Sequence, residues 1–345
     1  DSAKEVIISK IAGLQAENEE DAVLLDRIYK VLNSTGIQQN ITNAFAVPLE
    51  GEPMSDNEKR QVMQDMTKII SQADSDLKSM NEMVKQLEQG GVVNVKNLAS
   101  PLTTFGNVFT HPSAVTVFND LKNYGVGKNQ KGPGEYALAC LSNKIRLASG
   151  EGDLEIEGIG KVELKAAVSS SGGRIGYGGG DQRAKRAVID KYAEYIPNVI
   201  ANIGSKGGSI GLGKFIQALN ADLPVADMNN KKIRESIARE LFTMDMDNFA
   251  APIIQAVANT EDVNSIEDEY MKANFAWYKN RDDFDALLLC SFATQKFAMI
   301  RNENDLLAFK QSGHANARSI SVIPTQAGAG REQWVQLTLN KAKIG

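Results

Sequence analysis

The sequence predicts a mixed α/β protein, and three observations carry that reading. Apolar residues at helical spacing fill much of the first 125 residues. Two short alternating segments, 153–157 and 161–168, read as strands joined by the turn Gly158-Ile159-Gly160. A second helical stretch, 181–282, precedes apolar segments that again read as strands. Residues 1–125 are therefore expected to form a helical N-terminal region, and 126–345 an α/β region interrupted by helices.

Taken in order, 2–14 and 21–32 read as helices and 38–53 as a polar, proline-containing loop. Ser55 and Glu58 make a Ser-x-x-Glu capping box, which predicts one long helix running to Gln89. Its apolar positions, among them Ile69, Ile70, Met80, Met83, Val84 and Leu87, fall mostly three and four apart. They form one face for an internal core or for a partner. Gly90-Gly91 ends the helix. The glycine-rich segment 125–134 superficially has the look of a phosphate loop. Lys128 is followed by Asn129 rather than Ser or Thr, however, and the upstream glycine is misplaced. A helix is expected over 135–145 and a serine- and glycine-rich loop over 169–180. Segments 287–292 and 297–301 suggest a hairpin, 302–311 a helix, and 319–323 and 334–339 closing strands.

Composition bounds the function. The apolar fraction of 42% is enough to build a core without disulfides or structural metals. A formal net charge of -5 argues against coating nucleic acid through bulk charge but leaves room for a local basic surface. Cys140 and Cys290 sit in apolar runs and read as buried free thiols, which fits a reducing compartment. With His111 and His314 they are too scattered for a zinc finger, and His111, before Pro112, reads as a helix cap. No apolar run reaches the roughly 18 residues of a membrane span. No signal peptide is visible, so no membrane partner and a cytoplasmic location are expected. The chain begins at Asp1 without methionine and reads as trimmed, fragmentary or processed.

The chemistry lies in Gly152-Asp153-Leu154-Glu155-Ile156-Glu157 and Lys161-Val162-Glu163-Leu164-Lys165. Side chains alternate along a strand, so Glu163 and Lys165 share one face while Val162 and Leu164 point to a core. If the two segments pair, Asp153 approaches Glu163. Two carboxylates are hard ligands suited to Mg²⁺ or Mn²⁺. A metal there would polarise a phosphodiester and activate water, with Lys165 orienting the water or stabilising developing charge.

These residues resemble the PD-(D/E)XK nuclease superfamily: an acidic residue opening one strand, then Glu/Asp-x-Lys on the next. Asp153 and Glu163-Leu164-Lys165 match that pattern, with Gly152 standing where the motif's proline would be. The run 132–175 is similar to phage-encoded members. The resemblance implies a restriction-endonuclease-like core, a central mixed sheet flanked by helices, with 181–282 as a helical insertion. It implies catalytic roles for Asp153, Glu163 and Lys165, and metal contacts from Glu135, Asp153 and Glu163. The implied location is a host cytoplasm or a virion.

Supporting residues stay open at this point. Arg174, in a glycine-rich stretch, is either a phosphate contact or a solvated arginine. Gln182, Arg183, Lys185 and Arg186 open a helix after Gly178-Gly179-Gly180, where backbone N–H groups and cations could take DNA phosphate, or could be an ordinary charged first turn. Lys128 and Lys131 could extend a basic rim. The expected function is metal-dependent hydrolysis of DNA. The alternative is a structural or interaction protein, such as a phage particle component, keeping a nuclease-like fold and self-associating or assembling through its N-terminal helices.

Overall fold

A computed structural model describes residues 55–123, 132–148, 152–170, 172–176, 181–205, 207–316, 320–324 and 335–339, with a few positions between 22 and 30. The expected elements at 2–14 and 38–53, the rim lysines Lys128 and Lys131, and the loop 177–180 lie outside the described residues. The fold is mixed α/β, with a six-stranded mixed sheet flanked by helices. Two compact units are present: Asp1–Ser171 with Asp283–Met299, and Gly172–Asp282 with Ile300–Gly345.

The first unit opens with α1 (Asp56–Ser71) and α2 (Leu77–Glu88). The single long helix expected here is thus two helices. Asp74-Ser75-Asp76 interrupts it, because short polar side chains compete for backbone N–H groups and favour caps over helix interiors. Asp76 accepts from Lys78 N at 3.1 Å as the N-cap of α2. Met80, Met83, Val84 and Leu87 are buried, so the apolar face of α2 serves an internal core. Short α3 (Val95–Leu98), β1 (Thr103–Thr104) and α4 (Phe105–Val108) follow, then α5 (Pro112–Leu121), which His111 caps as expected.

α6 (Glu135–Leu141) stops four residues before its expected end, since Ser142-Asn143 turns the chain into β2 (Ile145–Leu147). β3 (Leu154–Ile156) and β4 (Gly160–Ala167) complete an antiparallel meander. In the second unit, β5 (Gly172–Ile175) precedes α7 (Gln182–Lys191) and α8 (Pro197–Ile203). β6 (Ile210–Gly211), α9 (Leu212–Asp222), α10 (Met228–Met246), α11 (Ala251–Asn259) and α12 (Val263–Arg281) come next. The chain returns to the first unit at Asp283, with β7 (Ala286–Ser291) and β8 (Lys296–Ile300), and leaves it after Met299. Last come α13 (Glu303–Gln311), β9 (Ala315–Asn316), β10 (Ser321–Ile323) and β11 (Val335–Thr338).

The main sheet runs β1-β8-β7-β4-β3-β2, with β7 parallel to β4. The terminal strands expected to close this sheet belong elsewhere. β10 pairs with β6, and β11 lies between β5 and β9. Arg174 is accordingly in a strand, opposite Gln336, not in a loop. Val162, Leu164, Ala286, Leu288 and Cys290 enter one core with α2, α5 and α6. Phe105 centres an aromatic group there, with ring centroids 4.7 Å from Phe297, 5.1 Å from Phe118 and 5.7 Å from Phe292. Cys140 and Cys290 are buried and free, and burial alone pushes the Cys140 thiol up to about 12. Among the described residues no helix is long and apolar enough to cross a membrane.

The second unit is organised around Arg234, fully buried on α10. Its guanidinium donates to Val257 O at 2.6 Å, Asn220 Oδ1 at 2.9 Å, Thr260 O at 2.9 Å and Leu223 O at 3.1 Å. Leu223 and Thr260 are the C-caps of α9 and α11, so the cation meets the negative ends of two helix dipoles. Burial lowers its pKa to about 10, which keeps it charged at neutral pH.

Gly91 shows why the α2 stop is a glycine. Its φ is +139°, and a Cβ there would lie 2.6 Å from Leu141 O and 2.7 Å from Ser142 Cα. Gly91→Ala is expected to cost about 1–3 kcal/mol through strain and displacement of the α6–β2 junction. A urea unfolding midpoint measures this, and an unchanged midpoint would show that the junction yields freely.

Candidate active site

The β2–β3–β4 meander sorts its side chains into two faces. Ile145, Leu147, Leu154, Ile156, Val162 and Leu164 go to the core. Arg146 is opposite Glu155 and Glu155 opposite Lys161, so these three share the other face with Glu163 and Lys165. The alternation expected of β4 is what the structure has. In the parallel register Glu163 lies beside Leu287 and Lys165 beside Leu289.

Asp153 is fixed where β3 begins. Gly152, at φ +82°, turns the chain into it. Asp153 N donates to Val162 O at 3.1 Å, and its carbonyl accepts from Ala148 N at 3.1 Å. Its carboxylate Oδ2 accepts from Leu164 N at 2.8 Å. That amide belongs to the peptide joining Glu163 to Leu164. The acidic side chain therefore continues the strand ladder and is held against the Glu-x-Lys segment itself. Glu163 is buried, and Lys165 Nζ donates to its Oε1 at 2.6 Å. Asp153, Glu163 and Lys165 are thus assembled around one stretch of β4.

Glu135 begins α6, is 3% exposed, and its Oε1 accepts from Gly132 N at 2.6 Å, an N-terminal closure of the helix. Among the described residues no three His, Cys, Asp or Glu side chains gather to hold a metal. The donor chemistry of Asp153 and Glu163 nonetheless suits Mg²⁺ or Mn²⁺. Mg²⁺ commonly takes one or two carboxylates and fills its remaining positions with water.

A cleft of about 580 Å³ adjoins this face at the tip of the β3–β4 hairpin. Lys144, Arg146, Glu155, Glu157, Lys161 and Asp285 line it. Lys161 is one same-face step before Glu163, so the cleft stops short of the carboxylates. Several of its charges are engaged: Arg146 pairs with Glu155 at 2.9 Å, Lys161 pairs with Asp283 beyond the cleft, and the Lys161 backbone N donates to Asp285 Oδ2 at 2.8 Å. Read from the sequence, Glu155 and Glu157 are a solvated face or the edge of the site, and both line this cleft.

The residues expected to meet DNA all lie in the second unit. Arg174 and Arg183 are exposed. Arg186 pairs with Asp190 at 3.3 Å, and Gln182 is buried. The amides at the start of α7 are already used, since Asp181 Oδ1 accepts from Arg183 N at 2.9 Å and Ala184 N at 3.0 Å. A carboxylate thus stands where a phosphate was expected. Lys185 is sealed in the core, 0% exposed, and donates to Asp245 Oδ2 at 2.6 Å. Its helical spacing with Val188 and Ile189 was the missed signal.

No family model matches the chain, and no curated protein or solved structure matches it.

Burial raises the Asp245 carboxyl to about 6 against the pull of Lys185, and burial lowers Lys185. A carboxyl raised from 3.8 to about 6 favours the folded state most below pH 3.8, and that contribution is lost as pH rises through about 6. At neutral pH the ion pair is a cost that its own geometry offsets. Lys185→Met or Asp245→Asn alone should destabilise by about 3–5 kcal/mol, while Lys185→Met with Asp245→Leu should return near the wild type or above it. Urea unfolding of the three variants decides this, and additive losses in the double variant would refute it.

Proposed function

We propose that the chain is a metal-dependent nuclease that hydrolyses DNA phosphodiester bonds at Asp153, Glu163 and Lys165. The observation that carries this reading is the Asp153 carboxylate docked on the peptide between Glu163 and Leu164. It brings a carboxylate from the start of β3 against the strand that carries Glu163 and Lys165. The order of elements adds support. Helix α6, the meander β2–β3–β4 and a crossover to β7 parallel to β4 build a mixed sheet flanked by helices, which is the coarse architecture that the resemblance implies.

Mg²⁺ or Mn²⁺, when bound, supplies charge neutralisation at the phosphate and lowers the pKa of coordinated water. Asp153 and Glu163 are the residues that would hold it. Asp153 is positioned by Leu164 N, so its carboxylate needs little reorganisation on binding. Glu163 is nearly enclosed, which strengthens its electrostatic interactions. Lys165 keeps an ammonium beside Glu163, where it meets a phosphate oxygen and stabilises charge built up during in-line attack.

A second reading rests on the same ion pair. With Lys165 closed on Glu163, the fold would serve as a structural or interaction module.

The experiment is cleavage of plasmid and linear DNA with Mg²⁺ or Mn²⁺. Asp153→Asn retains an acceptor for Leu164 N, so it tests chemistry with little loss of fold. Asp153→Asn, Glu163→Gln and Lys165→Met should each slow cleavage by at least about 100-fold. Cleavage that persists in chelator or survives these substitutions would sink the assignment. A wild-type protein inert with both metals would favour the second reading.

A further inference from the structure

Away from the carboxylate face, a ring of hydrogen bonds ties the α1–α2 connection to α2 and to the start of α5. His111, 7% exposed, caps α5, and its Nδ1 accepts from Ser113 N at 3.2 Å. An accepting Nδ1 carries no proton, so the neutral imidazole bears its proton on Nε2. Nε2 lies 3.5 Å from Ser79 Oγ. Ser113 Oγ donates to Asp74 Oδ2 at 2.9 Å. The Asp76 amide, then the Ser79 and Ser113 hydroxyls, hold the Asp74 carboxyl below its ordinary range. Ser79, His111 and Asp74 superficially suggest a hydrolytic triad. The polarity is wrong for one: the base would need Nε2 as acceptor and an Nδ1 proton on the carboxylate. Here Nδ1 accepts from a backbone amide.

We propose that this ring is an acid-sensitive clasp. Protonating His111 places a proton on Nδ1 against Ser113 N–H, two donors face to face, and the first turn of α5 loses its cap. The start of a helix also disfavours a cation. Asp74 is the charged group that acts on the ring from the α1–α2 connection, and it is itself held by the Ser113 hydroxyl. The neutral ring caps α5, and the charged ring, with no acceptor on Nδ1, cannot. Asp76 is engaged with Lys78 N. On the packed helices, Lys68, Lys78, Glu82, Lys85 and Asp120 are exposed to solvent. α4 carries no charged residue, and Glu135 is near the far end of α5, where Gly134 N donates to Lys122 O.

The test is NMR of the full chain labelled with ¹⁵N at histidine and serine, titrated from pH 8 to pH 5, with His111→Asn as reference. Asparagine keeps a side-chain acceptor at the cap but cannot protonate. His111 should be in the Nε2–H form at pH 8. On acidification the ring should protonate with the Ser113 amide shifting in step, and Ser113 exchange, corrected for its intrinsic rate, should rise by roughly fivefold, the effect of losing an N-cap. His111→Asn should show neither change. The clasp is refuted by an Nδ1–H ring at pH 8, a ring that does not protonate by pH 5, a Ser113 amide indifferent to the ring, or the same acid response in His111→Asn. If His111→Asn does not fold, the wild-type titration decides alone.

Discussion

The pairing of β4 with β7 is the contact on which the rest of the sheet depends. Parallel strands cannot be joined by a tight turn, so everything between residues 168 and 285 is spent on one crossover. The register runs from Val162 opposite Ala286 to Ala167 opposite Ser291. It is locked at its start by Lys161 N on Asp285 Oδ2 and Asp285 N on Lys161 O, both at 2.8 Å. That lock determines which side chains of β4 join Leu288 and Cys290 in the core and which stand on the other face with Lys165. It also sets an order of events. Until β7 has been synthesised, β4 is an open edge offering unpaired backbone groups.

Much of this sheet was legible in the sequence because strand alternation is a local signal. The hairpin, its glycine turn and the common face of Glu163 and Lys165 follow from period two alone. The hold of Asp153 on Leu164 N does not, since no pattern encodes a side chain substituting for a backbone partner. Glu135 illustrates the converse. Its position at a helix start is readable, but whether its carboxylate reaches outward or closes on Gly132 N is settled by the turn at Gly132-Pro133-Gly134, where Gly134 has φ +85°.

Other departures share a cause: local pattern competing with tertiary partners. Residues 321–323 and 335–338 are strands, as their composition suggests, but strand propensity does not name a neighbour, and they pair with β6 and with β5 and β9. The helix through 72–76 fails because capping residues outweigh an apolar stripe that continues across them. Lys185 was read by charge as a surface residue, whereas its place on the stripe with Val188 and Ile189 took it inside, where Asp245 waited.

Arg234 has the widest reach of the buried cations. Its planar fork gathers the ends of α9 and α11 onto α10, and a lysine would offer neither that geometry nor as many donors. Without the guanidinium, several carbonyls lose their partner at once and in the same place, so the helices would come apart together rather than fray one by one. Quality control in a cell acts on the unfolded fraction. A change at Arg234 would therefore register as a shortage of molecules, each survivor working at its normal rate, and a screen scoring bulk activity would mistake this scaffold position for part of the chemistry.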